Sequence, residues 1–253
     1  MNPLRRALSA EVLKLRGTLA LWMCLIAPST VVALLVLQLT FTDYGKRPPM
    51  APREAWSMFA QGVLVLWAFL MLPLFVTLQS ALLAGLEHAN QQWKHLFALP
   101  LPRGAHYLAK LLALAAMVML AMTVLLLLIV LGGGLLGLLQ PKFGIGGPPP
   151  WAFLLSRIPA IFAATLLIIA LHHWIAIRWR SFTVAVSIGM TATVAGFLIG
   201  QSKSFGHLYP WSLPAQVLAG DGERLDYAVL VGLLGGMVVA ALGLWDFLRR
   251  EMG

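Results

Sequence analysis

The chain is short of nearly everything a soluble enzyme uses. Only 11% of its 253 residues are charged, against about a quarter in soluble domains. With 60% hydrophobic residues and a mean hydropathy of +0.86, the composition excludes a soluble globular domain and indicates an integral membrane protein. The single cysteine, Cys24, excludes an intramolecular disulfide, and the bulky Leu21, Trp22 and Met23 before it argue against a lipoprotein cleavage site. No small-x-small site follows the first apolar run, so a cleaved signal peptide is not expected. No G-x-x-x-x-G-K-[ST] phosphate loop occurs: Gly45-Lys46 is followed by Arg47. H-E-x-x-H and G-x-S-x-G are also missing, as are the alternating ten-residue segments of a membrane β-barrel. No acidic residue lies deep within an apolar run, where ion- or proton-coupled carriers usually place one. The sequence therefore carries neither a catalytic constellation nor a visible energy source.

What is present is a series of apolar runs. Thr18–Thr40 and Leu111–Pro141 contain no charged residue, and each exceeds the roughly 20 residues that cross about 30 Å of hydrocarbon as an α-helix. Six spans are expected, at about 18–40, 57–84, 106–131, 156–177, 182–199 and 228–246, in a single all-α transmembrane domain covering residues 1–253. The intervening segments are rich in Pro, Gly and charge. With the N-terminus inside, eleven of the 18 Lys and Arg (Arg5, Arg6, Lys14, Arg16, Lys94, Arg103, Lys110, Arg178, Arg180, Arg249 and Arg250) fall on the cytosolic side and seven on the other. The positive-inside rule then gives an N-in, C-in topology. The net charge of +9 reads as this topology signal plus attraction to anionic lipid, and not as a nucleic-acid footprint.

Two polar segments on that side stand out. Residues 1–16 suit a helix lying on the inner surface, with Leu4, Leu8, Val12 and Leu15 as an apolar stripe and Arg5, Arg6, Glu11, Lys14 and Arg16 as polar neighbours. The segment Glu87 to Lys110 reads as a short amphipathic helix over residues 86–98, a proline stop at Pro100 and Pro102, and a return to the bilayer. Leu86, Ala89, Trp93 and Phe97 form its apolar stripe. Glu87, Asn90, Gln91 and Lys94 lie opposite at i, i+3 and i, i+4 spacings. An ordinary interfacial connector would account for this pattern; so much polar surface with so little charge fits a protein interface better.

Other residues have plainer readings beside sharper ones. Pro28 and Pro73 are expected to kink spans one and two, and Gly132, Gly133 and Gly134 to loosen the third. Arg157 is placed at the outer interface near Trp151, since a cation at the bilayer centre costs about 2.5–3.5 kcal/mol; a substrate contact is the sharper alternative. His172 and His173 point about 100° apart on a helix, a poor metal pair, and are read as interfacial. Residues 200–227 are long for a loop, and Tyr209-Pro210-Trp211-Ser212-Leu213-Pro214 suits either an aromatic belt or short re-entrant helices capping an outer gate. Arg157, Tyr209 and Trp211 are the candidates for that gate or a substrate path.

Three features carry a resemblance: Glu11-x-x-Lys14 before a proline-containing first span; Glu87 to Trp93-Lys94 followed by Leu99-Pro100-Leu101-Pro102-Arg103 and Ala109-Lys110; and Pro210-Trp211-x-Leu213-Pro214 before the last span. Together they resemble the membrane subunit of ABC-2 type ATP-binding-cassette exporters, in particular the permeases of lantibiotic or bacitracin immunity and export. The resemblance implies a six-helix half-transporter of the bacterial cytoplasmic membrane, paired with a second permease copy or paralogue. It implies a separate ATPase subunit that binds ATP and Mg²⁺. Glu87, Asn90, Gln91, Trp93 and Lys94 would then belong to a coupling helix, and Glu11 and Lys14 to a second contact with that ATPase. Translocation outward of an amphipathic peptide, antibiotic or lipid-like molecule would follow. Two other classes stay open on the residues alone: a self-contained secondary transporter or channel, for which Gln61, Gln79 and the histidines are the polar candidates, and a membrane scaffold without transport activity.

Overall fold

In a computed structural model the described residues are 2–44, 48, 50–89, 102–179, 181–202, 204–220 and 224–249. Among them every regular element is helical: α1 (Pro3–Leu15), α2 (Leu19–Phe41), α3 (Pro52–Leu66), α4 (Leu72–Ala89), α5 (Arg103–Leu139), α6 (Trp151–Arg178), α7 (Phe182–Gly200), the short α8 (Leu213–Gln216) and α9 (Leu225–Arg249). Six stretches are long and apolar enough to cross a membrane, α3 and α4 forming one of them.

α1 starts with Asn2 accepting a hydrogen bond from the Leu4 amide at 3.0 Å and with Pro3 in the first turn, where its missing N–H costs nothing. It stops at Gly17, whose φ of 73° favours glycine and lets the chain turn into α2. α5 has 37 residues and no interior proline. At 1.5 Å per residue it is roughly 55 Å long, well beyond one hydrocarbon thickness. Its first turns form the platform on which α1 rests, through Ala7 against Ala105 and Ala109.

The seams between spans are built on missing side chains. α9 packs on α6 where Gly232 and Gly236 meet its backbone: a Cβ on Gly232 would lie 2.4 Å from the Ala163 carbonyl oxygen, and one on Gly236 2.9 Å from the Leu166 carbonyl carbon. This small-xxx-small spacing lets two helices approach closely in a medium that offers no hydrophobic drive for association. α7 uses Gly189 against Thr77 and His172, Gly196 against Trp211, and Gly200 against Phe69.

Two expectations change and a third takes a definite form. The third span does not loosen at Gly132–Gly134 but runs on to Leu139. The reason is steric: Gly132 makes room for Val32, and the ring of Trp56 lies on Gly133, where a Cβ would sit 2.2 Å from it. The second span contains a π-helical turn at Trp67–Met71, directly before Pro73. There the Leu72 amide reaches back to the Trp67 carbonyl, a register shift that accommodates a residue unable to donate. His172 and His173, 1% and 2% exposed, are interior and not interfacial.

Candidate coupling and gate sites

At the end of the bundle that carries α1, a buried carboxylate meets a buried ammonium and a second ammonium at the rim. Glu11, 5% exposed, accepts from Lys110 Nζ at 2.9 Å through one oxygen and from Lys14 Nζ at 2.8 Å through the other. Lys110, in the second turn of α5, also donates to the Leu83 carbonyl of α4 at 3.1 Å. One ion pair therefore ties α1, α4 and α5 together. Burial pushes the Glu11 carboxyl up, but Lys110 and then Lys14 outweigh it and hold the group below its ordinary value.

The stripe facing α5 comprises Leu4, Ala7, Leu8, Glu11 and Leu15; Val12, expected among the apolar positions, is half exposed. Glu11 thus faces inward, to a lysine of its own chain, and Lys14 lies at the rim of the same contact. Sequence alone gave no signal for the pairing with Lys110, because the two residues are far apart in the chain. Glu87 lies in the last turns of α4. Asn90, Gln91, Trp93 and Lys94, with most of the 86–98 helix, lie outside the described residues.

At the opposite end, the three gate candidates converge on one segment. Pro210–Ser212 forms a 3₁₀ turn leading into α8, and Ser212, Leu213, Ala215, Gln216 and Val217 are all buried among the spans. Tyr209 donates through its hydroxyl to the Ala192 carbonyl of α7 at 3.0 Å. Arg157 donates through Nη1 to the Val217 carbonyl at 3.3 Å, its guanidinium 5.8 Å from the Phe153 ring centroid. Trp211 reaches deepest, its Nε1 donating to His172 Nε2 at 3.1 Å. That bond requires an unprotonated Nε2 and puts the ring proton of neutral His172 on Nδ1. Thr77 Oγ1 of α4 lies 3.2 Å from the same nitrogen.

Sequence reasoning missed the role of the adjacent residues. His172 meets Thr77 and Trp211, His173 Nε2 lies 3.2 Å from the Tyr107 carbonyl of α5, and Trp174 Nε1 donates to Asp246 of α9 at 2.8 Å. Successive residues on a helix point about 100° apart, so this triplet lashes α6 to four different neighbours, α4, the 3₁₀ turn, α5 and α9. The angle that makes the histidines a poor metal pair makes them a good hub. Gln79, a candidate pore-lining residue, is fully buried and donates to the Ala20 carbonyl of α2 at 2.7 Å, which makes it a tie between helices.

The sequence pattern of one known family, described as ABC-2 family transporter protein, matches residues 7–196, from within α1 to near the end of α7. The chain belongs to that family. No curated protein and no solved structure matches it. As an ABC-2 permease it is a multi-pass membrane protein and a transport component, in a family that works with ABC ATPases. The match takes in the α1–α5 ion pair and the His172–Trp174 triplet itself, and ends before two of the triplet's partners, Trp211 and Asp246.

Proposed function

We propose that this ABC-2 permease is the membrane half of an ATP-binding-cassette exporter of the lantibiotic or bacitracin immunity type, moving an amphipathic peptide, antibiotic or lipid-like molecule outward. In this reading the chain lies N-in, C-in in a bacterial cytoplasmic membrane and pairs with a second permease. ATP and Mg²⁺ are held by a separate ATPase, which engages α1 and the connector over residues 86–98. Arg157, Tyr209 and Trp211 hold the Tyr209–Val217 segment closed over the outward end of the route.

The observation that supports this best is the buried contact of Glu11 with Lys110. The connector leaves α4 and returns as α5, whose second turn carries Lys110. α1 is fastened to that same turn, and the Leu83 carbonyl of α4 shares the lysine. A displacement of the connector is thereby delivered to α1, α4 and α5 at once, in place of dissipating in a loose loop.

The test is co-purification with the ATPase from native membranes together with ATP hydrolysis stimulated by a transported peptide. Glu87→Ala with Lys94→Ala is expected to lower both while leaving the spans folded. Normal ATPase association and stimulation in that double variant overturns the assignment of the connector.

A further inference from the structure

Two donors face one lone pair where Trp211 is seated. Nε2 of the buried His172 offers a single acceptor site in the ring plane. The Trp211 indole N–H lies 3.1 Å from it and the Thr77 hydroxyl 3.2 Å. While Trp211 is seated that lone pair is taken, and Thr77 gives its one hydroxyl proton to the Pro73 carbonyl of its own helix at 2.8 Å. In an α-helix the same carbonyl accepts the amide four residues on, so it stays bonded if the hydroxyl turns away. Gly189 of α7 closes over both side chains at once: a Cβ there would lie 2.3 Å from Thr77 Oγ1 and 2.6 Å from His172 Cε1.

The other ties of the Tyr209–Val217 segment leave no buried acceptor stranded when they part. Tyr209 would leave the Ala192 carbonyl, inside α7, where the helix supplies an amide. The Val217 carbonyl held by Arg157 moves with the segment. Gln216 donates to the Gly200 carbonyl at 3.3 Å, and both residues line an open cavity of about 500 Å³. Trp211 is different, because it would abandon a side-chain acceptor in the interior. A buried acceptor left without a donor carries its full desolvation penalty. Thr77 is the group placed to prevent that.

We infer that Thr77 is the stand-in donor for Trp211. When residues 209–217 withdraw, the Thr77 hydroxyl turns from the Pro73 carbonyl to His172 Nε2, and the segment leaves without stranding that nitrogen. Thr77 is thus a positioning residue that acts through His172. The inference concerns how the segment leaves its seat; it does not depend on what crosses there or on the ATPase contact.

Hydrogen exchange of the full chain in lipid nanodiscs tests it, read across residues 209–217 with α2 and α5 as controls of the fold. Thr77→Val keeps the outline of the side chain and removes the proton, so the seated state keeps its Trp211 bond while the withdrawn state strands Nε2. Exchange across 209–217 is expected to slow about tenfold, the scale of one unsatisfied buried acceptor. Thr77→Ser, which keeps the hydroxyl, should exchange like the wild type. On a Trp211→Phe background Thr77 already serves Nε2 with the segment in place, so adding Thr77→Val should no longer slow exchange. Unchanged or faster exchange in Thr77→Val, slowed exchange in Thr77→Ser, or the same slowing on the Trp211→Phe background overturns the inference.

Discussion

Glu11 and Lys110 are worth more to the fold as a pair than either is alone. Removing one partner of a buried ion pair strands the other charge and typically costs about 3–5 kcal/mol, whereas replacing both by apolar residues of similar volume is often neutral. Glu11→Leu, which leaves the buried Lys110 ammonium without its carboxylate, should therefore lower the thermal unfolding midpoint in detergent more than the double change Glu11→Leu with Lys110→Met. Acid should act at the same place. The folded-state carboxyl lies below its ordinary value, so its contribution is fully present above the unfolded value of 4.5 and is lost as pH falls through the lower folded value. Hydrogen exchange at the α1 amides should rise selectively in that acid range, and Glu11→Gln should abolish the rise. Gly189 offers a steric counterpart. A Cβ there would lie 2.3 Å from both Thr77 Oγ1 and Cγ2, so Gly189→Ala should destabilise by about 1–3 kcal/mol through overpacking, read as a lowered unfolding midpoint.

At the scale of elements, the six spans were legible because uncharged runs of sufficient length have few other uses. Their packing was less so. Gly132–Gly134 reads as a weak point in a sequence, since glycine disfavours helix on its own; only the positions of Val32 and Trp56 show that those glycines are contact surfaces. Glu11 reads as solvent-facing for the same reason, because its partner comes from another helix. The Tyr209–Val217 segment could be suspected from its prolines and aromatics, but not its depth, which rests on the bond from Trp211 to His172. Trp211→Phe keeps the ring and removes that donor. It should cost about 1 kcal/mol and speed hydrogen exchange across residues 209–217 while leaving α2 and α5 protected.

At the scale of the molecule, the exposed faces of α7 and α9 carry Phe197, Leu198, Leu234 and Met237, so the bundle is finished only by lipid or by another apolar surface. Within it, α6 has a special mechanical position. Three consecutive residues fasten it to Thr77 and Trp211, to Tyr107 and to Asp246. Turning α6 by about 100° about its own axis would present each of these side chains to the wrong neighbour and unmake these polar contacts in a medium without water to replace them. Spinning is thus closed to this helix, while tilting together with its neighbours remains open. Whatever rearrangement the bundle makes, α6 serves as its mast, and the remaining helices lean with it or slide past it.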